Sequence, residues 1–118
     1  MLVPLRMGLK DLRVYHAAEL LRKEVDKIIA KVGKGLENEI KHVDEAADSV
    51  LNNAAEGSAF TYPKKRIYFW QMAKGSANEV GGGLHSLVRR GAILYIDAIT
   101  GIRLAISVAK NVEQHAVT

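Results

Sequence analysis

Apolar residues recur along the chain at alternating steps of four and three, the spacing that lines one face of an α-helix. In the first segment Val14, Ala18, Leu21, Val25, Ile28 and Val32 follow it, and Gly33 and Gly35 come next as stop signals. A second segment repeats the spacing in Leu36, Ile40, Val43, Ala47, Val50 and Ala54, ending at Gly57. The stretch Ser58 to Pro63 then has turn chemistry, with Thr61 or Tyr62 leading into a proline suited to a first helical turn. A third stripe carries Phe69, Ala73, Ser76, Val80, Gly83 and Leu87, with Trp70 and Met72 beside it. The fourth runs on Tyr95, Ile99, Ile102, Ile106, Ala109 and Val112, after a break at Arg89, Arg90 and Gly91. No run of alternating β-branched residues competes with this pattern. It predicts helices over about 10–34, 36–56, 64–90 and 92–112. Four helices with short connections imply an all-α, antiparallel up-down-up-down four-helix bundle, a single domain over residues 1–118.

Two stretches strain that pattern. Gly81, Gly82 and Gly83 fall inside the third helix, where each glycine costs about 1 kcal/mol against alanine. Either the helix bends there or a neighbouring backbone comes very close. The fourth helix is apolar well around its cylinder, through Ile93, Leu94, Ile96, Ala98, Leu104, Ala105 and Val108. One side of it should lack cover from its own chain, which predicts a subunit interface including Ile96, Leu104 and Val108. The competing reading is a central helix covered by the rest of the chain.

Composition narrows the class without naming a chemistry. A chain of 118 residues fits one domain, and 48% apolar with 25% charged residues is the balance of a folded protein rather than a disordered one. Without cysteine there are no disulfides, thiolate metal sites or cysteine nucleophiles, which suits a cytoplasmic location. Charges at Arg6, Lys10, Asp11 and Arg13 interrupt any signal-peptide core, and Asp97 and Arg103 interrupt the longest apolar stretch. Neither export nor a membrane partner is expected.

The net charge of +4 hides a segregation. Residues 1–34 carry +4, residues 35–63 carry −5, residues 64–91 carry +5, and the remainder is neutral. Arg13, His16, Lys23, Lys27, Lys31 and Lys34 follow helical spacing and share one face of the first helix. Lys64, Lys65 and Arg66 cluster at the start of the third, with Lys74 two turns on. Such stripes fit a phosphate backbone, whose contacts give affinity and salt dependence. Phe60, Tyr62, Tyr68 and Trp70 lie near Lys64 to Arg66, and aromatic rings beside cations are how single strands are often held, although Phe69 and Trp70 at helical spacing are more often core residues. An acidic helix between two basic ones is also what complementary pairing within a bundle produces. Both readings stay open.

Catalytic and metal constellations find little support. Glu39 and His42 give one Glu-x-x-His pair, but a di-metal bundle site needs two, with further carboxylates on the other helices. His16, His85 and His115 occur singly. Ser49, Ser58, Ser76, Ser86 and Ser107 have no nucleophile elbow or paired base, and the glycine triplet is no phosphate-binding loop. The chain reads as non-enzymatic, with no metal and no cofactor. The polar residues Asn53, Glu56, Ser76 and Glu79 sit among small neighbours that let backbones approach, which places them as interhelical hydrogen-bonding groups fixing register.

At these residues the sequence resembles a family of bacterial four-helix bundle proteins that includes those encoded by intervening sequences within 23S ribosomal RNA genes. The resemblance runs from Asp11-Leu12-Arg13-Val14-Tyr15, through Ser49 and Asn53-Ala54-Ala55-Glu56-Gly57-Ser58, to Phe69, Ala73-Lys74-Gly75-Ser76 and Glu79. It implies a left-handed antiparallel bundle that assembles as a ring-shaped homopentamer. A related bundle, the accessory protein of diversity-generating retroelements, acts with a reverse transcriptase and binds nucleic acid. This chain departs from the family at Asp44 and Glu45, where a basic pair is common, and at the glycine triplet, where longer polar residues are usual.

The leading expectation is therefore a homo-oligomeric bundle that binds RNA or another nucleic acid through the basic faces of the first and third helices. The alternative is an adaptor or scaffold ring that presents its surface to a protein partner, such as a reverse transcriptase.

Overall fold

The computed structural model describes the backbone of residues 9–60 and 62–116 and the side chains of residues 13–60 and 62–114. Thr61 and the side chains of Asp11, Leu12 and His115 lie outside the described residues. Four α-helices are present: α1 (Leu9–Ile29), α2 (Glu37–Ala59), α3 (Pro63–Arg89) and α4 (Tyr95–Ala116), with no strand among the described residues. The all-helical expectation holds, and the boundaries move for identifiable reasons.

α1 ends at Ile29, five residues short of Lys34. The Lys31 and Val32 N–H groups donate to the carbonyls of Ile28 and Ile29 at 3.0 and 3.1 Å, tightening the last turn into i→i−3 bonds. Gly35 then takes φ +103°, a conformation open to glycine, and reverses the chain. Its N–H donates to Glu37 Oε1 at 3.1 Å. Glu37's own backbone N–H and that of Gly35 hold the Glu37 carboxyl below the ordinary glutamate range. A carboxylate in the first turn also suits the positive end of α2. Val32 still packs against the core, but from the connection rather than from a helix.

α2 runs through Gly57 to Ala59, so this glycine is not a stop signal. A Cβ there would lie 2.6 Å from Trp70 Nε1 and 3.0 Å from the Arg66 carbonyl oxygen. Glycine is what lets α3 come this near. The Trp70 indole N–H donates to the Ala54 carbonyl at 3.2 Å, and Trp70 is 1% exposed.

α3 passes through the glycine triplet as one continuous helix. The close neighbour is a side chain, not a backbone: a Cβ on Gly83 would lie 2.5 Å from Val43 Cγ2. The helix closes with Gly91 at φ +76°, the Gly91 N–H on the Val88 carbonyl and the Ala92 N–H on the Leu87 carbonyl, both at 3.0 Å. That pair of bonds satisfies carbonyls a helix end leaves open.

Each helix packs on two others, α1 on α2, α2 on α3, α3 on α4 and α4 back on α1, around a shared apolar core. Val14, Ala18, Leu21, Val25 and Ile28 of α1 face it as their spacing predicts, and so do Val43, Ala47, Val50 and Ala54 of α2. On α4 the buried stripe is Ala98, Ile102, Ala105, Val108, Ala109 and Val112, whereas Tyr95 and Ile106 are about half exposed at 52% and 49%. The small residues are inside because two neighbours press on them: a Cβ on Gly101 would lie 2.8 Å from Ile28 Cδ1 and 2.9 Å from Leu84 Cδ1.

Candidate nucleic-acid interface

Charge pairing between helices is real and has a centre the spacing did not mark. Arg22, with only 13% of its side chain exposed, donates to Asp26 on its own helix and to Asp48 and Asp44 of α2, and also to the Asp44 carbonyl at 2.9 Å. Burial disfavours its charge, but the hydrogen bonds to Asp44 and Asp26 outweigh that and raise its pKa. Elsewhere Lys31 reaches Asp97 at 3.2 Å, Lys74 reaches Glu113 at 3.0 Å and Arg90 lies 3.6 Å from Glu39. Lys31 and Lys74, both read as phosphate contacts, are thus engaged by carboxylates of α4.

The other basic residues divide into two groups. Arg13, Lys23 and Lys27 are exposed on α1, and Lys34 is exposed in the connection after it. Lys27 lies 4.0 Å from Glu24. At the other site Lys64 and Lys65 are exposed in the first turn of α3, and Lys65 Nζ sits 5.1 Å from the centre of the Phe60 ring. Arg66 is half-buried, its Nε–H donating to the Phe60 carbonyl at 3.0 Å and its guanidinium 5.6 Å from the Trp70 ring. α1 and α3 each pack on α2 and α4, so their outward faces look in different directions. The two basic groups are not brought together within one chain.

The aromatic residues near Lys64 sort by burial. Trp70 belongs to the core, its ring covered and its N–H satisfied. Phe60 and Phe69 stack at 5.4 Å between centroids and 5° between planes, and Tyr68 meets Phe69 edge-on at 5.2 Å. Tyr62 and Tyr68 remain 72% and 59% exposed. From Gly57 to Asn78 the chain contains four Lys or Arg and no Asp or Glu, so this corner between α2 and α3 carries cations and open rings together.

Of the predicted polar motif, Ser76 makes a contact between helices and Asn53 bonds within its own. Ser76, 8% exposed, shares a 2.7 Å hydrogen bond with Ser49 across the α2/α3 contact. Asn53 Nδ2 donates to the Ser49 carbonyl and Oγ at 2.9 and 3.1 Å. Glu56 and Glu79 point outward, and Glu79 lies 3.8 Å from His42. Of the residues singled out on α4, Ile96 is 73% exposed, Leu104 is half-buried against the core, and Val108 is completely buried in it and offers no surface. Leu94, Tyr95 and Ile106 are also large apolar residues left exposed.

Gly82, with nothing within 4 Å of where its Cβ would be, and Gly83 line a recess of about 470 Å³ between α2 and α3, flanked by Asn38, His42, Glu79 and Ser86. Glu39 and His42, the one Glu-x-x-His pair, turn to separate partners, Arg90 and Glu79. Among the described residues no His, Asp or Glu side chains gather in a group of three able to hold a metal ion. Nor is any described helix long and apolar enough to cross a membrane.

Arg22 and Ser49 are the residues that the sequence pattern did not assign to a site. Arg22 lies off the basic stripe, and its position between that stripe and the buried one was the available signal. Among known proteins, the family model described as 23S rRNA-intervening sequence protein matches residues 10–114. No curated protein and no solved structure matches the chain.

Proposed function

The chain belongs to the 23S rRNA-intervening sequence protein family, and from that premise we propose that it is a non-enzymatic, homo-oligomeric helical bundle that binds RNA or another nucleic acid in the cytoplasm. The observation that carries this reading is the division of the cations. Pairing within the chain engages Arg22, Lys31, Lys74 and Arg90. Arg13, Lys23, Lys34, Lys64 and Lys65 stay exposed with no carboxylate partner among the described residues. Internal charge complementarity thus accounts for one set and leaves the other to a polyanion, which would gain affinity through counterion release.

The fold proposed beneath this function is an antiparallel, up-down-up-down bundle. Its support is that residue numbers rise on one helix as they fall on the next: Val43, Ser49 and Gly57 of α2 meet Gly83, Ser76 and Trp70 of α3, and Lys74 and Gly81 of α3 meet Glu113 and Ala105 of α4. The seven-residue repeat on α1 and α2 favours a left-handed supercoil. Self-association, as a homopentamer in this reading, would cover Leu94, Ile96 and Ile106, which are too large and too exposed to be explained by the chain's own core. The same exposed residues favour the second reading, a ring that docks a protein partner such as a reverse transcriptase.

Replacing Lys23 and Lys27 together by glutamate tests the α1 face. RNA affinity at low salt should fall several-fold with helical content unchanged, read by anisotropy and circular dichroism. Unchanged affinity would remove α1 from the interface.

A further inference from the structure

The two basic groups differ in what surrounds them, and the difference bears on which form of nucleic acid each can hold. Among the described residues of α1 the cations share their helix with one tyrosine, Tyr15, which is packed against the core. At the start of α3 the tyrosines beside the cations are exposed. Lys64, Tyr68 and Met72 follow one another at steps of four, so they lie on one stripe of the helix at intervals of about 6 Å along its axis. Lys64 is exposed, Tyr68 is 59% exposed and Met72 is 45% exposed. Gly75 continues the stripe with nothing within 4 Å of where its Cβ would be. Tyr62, 72% exposed, stands immediately before the helix.

Tyr68 is braced rather than loose. Phe69 is stacked on Phe60 and receives Tyr68 edge-on, and Lys65 lies over Phe60. Arg66 ties the Phe60 carbonyl to α3. Tyr68 thus packs at right angles to Phe69, while more than half of its surface is open to solvent.

Resting on the nucleic-acid reading above, we propose that the corner between α2 and α3 is a single-strand site: unpaired bases stack on Tyr68 and Tyr62, and Lys64 and Lys65 take the adjoining phosphates. A duplex keeps its base faces stacked on one another, so it could use the lysines but not the rings. Base–aromatic stacking tolerates any base, so the site should show little sequence preference. The absence of Asp and Glu from Gly57 to Asn78 leaves nothing in that segment to repel the backbone. The occupant is committed by this charge: an apolar protein segment would gain nothing from two lysines without carboxylate partners beside the rings.

The test is equilibrium binding of the full chain to a labelled twelve-nucleotide single-stranded RNA and to the same strand annealed to its complement. The single strand should bind more tightly, by about tenfold. Tyr62→Ala and Tyr68→Ala should each weaken single-strand binding by roughly fivefold or more and leave duplex binding unchanged, while Tyr68→Phe should restore it. Both tyrosines are exposed, so circular dichroism should register no loss of fold. If the double alanine variant binds the single strand as wild type does, the stacking site is wrong; if that binding still falls on replacing Lys64 and Lys65 by glutamate, the broader nucleic-acid reading survives. Equal affinity for the two forms, insensitive to the tyrosines, likewise overturns the single-strand site. No binding to either form at low salt overturns both readings.

Discussion

Gly57 and Gly82 are the same residue in the same kind of element, yet their surroundings give alanine opposite effects. At Gly57 a methyl group would press on the buried Trp70 ring and on the Arg66 carbonyl, and neither can withdraw without moving α3 against α2. Gly57→Ala should destabilise the chain by about 1–3 kcal/mol, the usual cost of overpacking a filled site. Nothing lies within 4 Å of a Cβ on Gly82, so Gly82→Ala should stabilise by up to about 1 kcal/mol through helix propensity alone. Urea unfolding midpoints at constant slope would check the pair, and shifts of the same sign would contradict it. From sequence Gly57 reads as a helix stop and Gly82 as part of a bend or a close backbone approach, because a glycine needed for close approach and one that merely weakens a helix are written identically. Trp70 raised the same difficulty: a tryptophan beside basic residues reads as a stacking ring or, by its helical spacing, as a core residue, and the Ala54 carbonyl accepting from its N–H selects the second.

Between elements, the polar contact of Ser49 and Ser76 does what the small-residue motif was read to do, with a partner the motif did not name. Because each hydroxyl is the other's partner, Ser49→Ala and Ser76→Ala should each cost about 0.5–1.5 kcal/mol. The double variant should cost less than their sum. A thermodynamic cycle in urea would measure this, and strict additivity would mean the two hydroxyls do not depend on each other. The helices themselves were legible wherever one stripe was apolar and the opposite face charged, as on α1 and α2. On α4 the helix was legible but its buried face was not, because it is apolar around most of its circumference and its pattern admits more than one register. The spacing favoured the largest side chains, Tyr95 and Ile106, but packing between α1 and α3 selected Ala98, Gly101 and Ala105, the residues small enough for close approach. The end of α1 was missed because Val32 keeps the apolar spacing while serving in a turn.

At the scale of the whole molecule, the segment charges foretold both internal pairing and a surplus, and only the positions of the carboxylates could apportion them. Arg22 takes three aspartates, and α4 supplies Asp97 and Glu113 to Lys31 and Lys74. The exposed apolar residues give a second expectation. Light scattering at micromolar concentration should find an assembly several times the 12.9 kDa of one chain, and Leu94→Asp with Ile96→Asp should release a folded monomer. A wild-type mass of 12.9 kDa would contradict self-association. The central claim is that the unpaired cations meet phosphates, and the most direct measurement is the affinity for single-stranded RNA as salt is raised. The account predicts a logarithmic decline whose slope flattens by about 1.4 when Lys64 and Lys65 become glutamate, about 0.7 for each phosphate that is no longer neutralised. Undetectable binding at low salt, or an affinity that salt does not change, would contradict it.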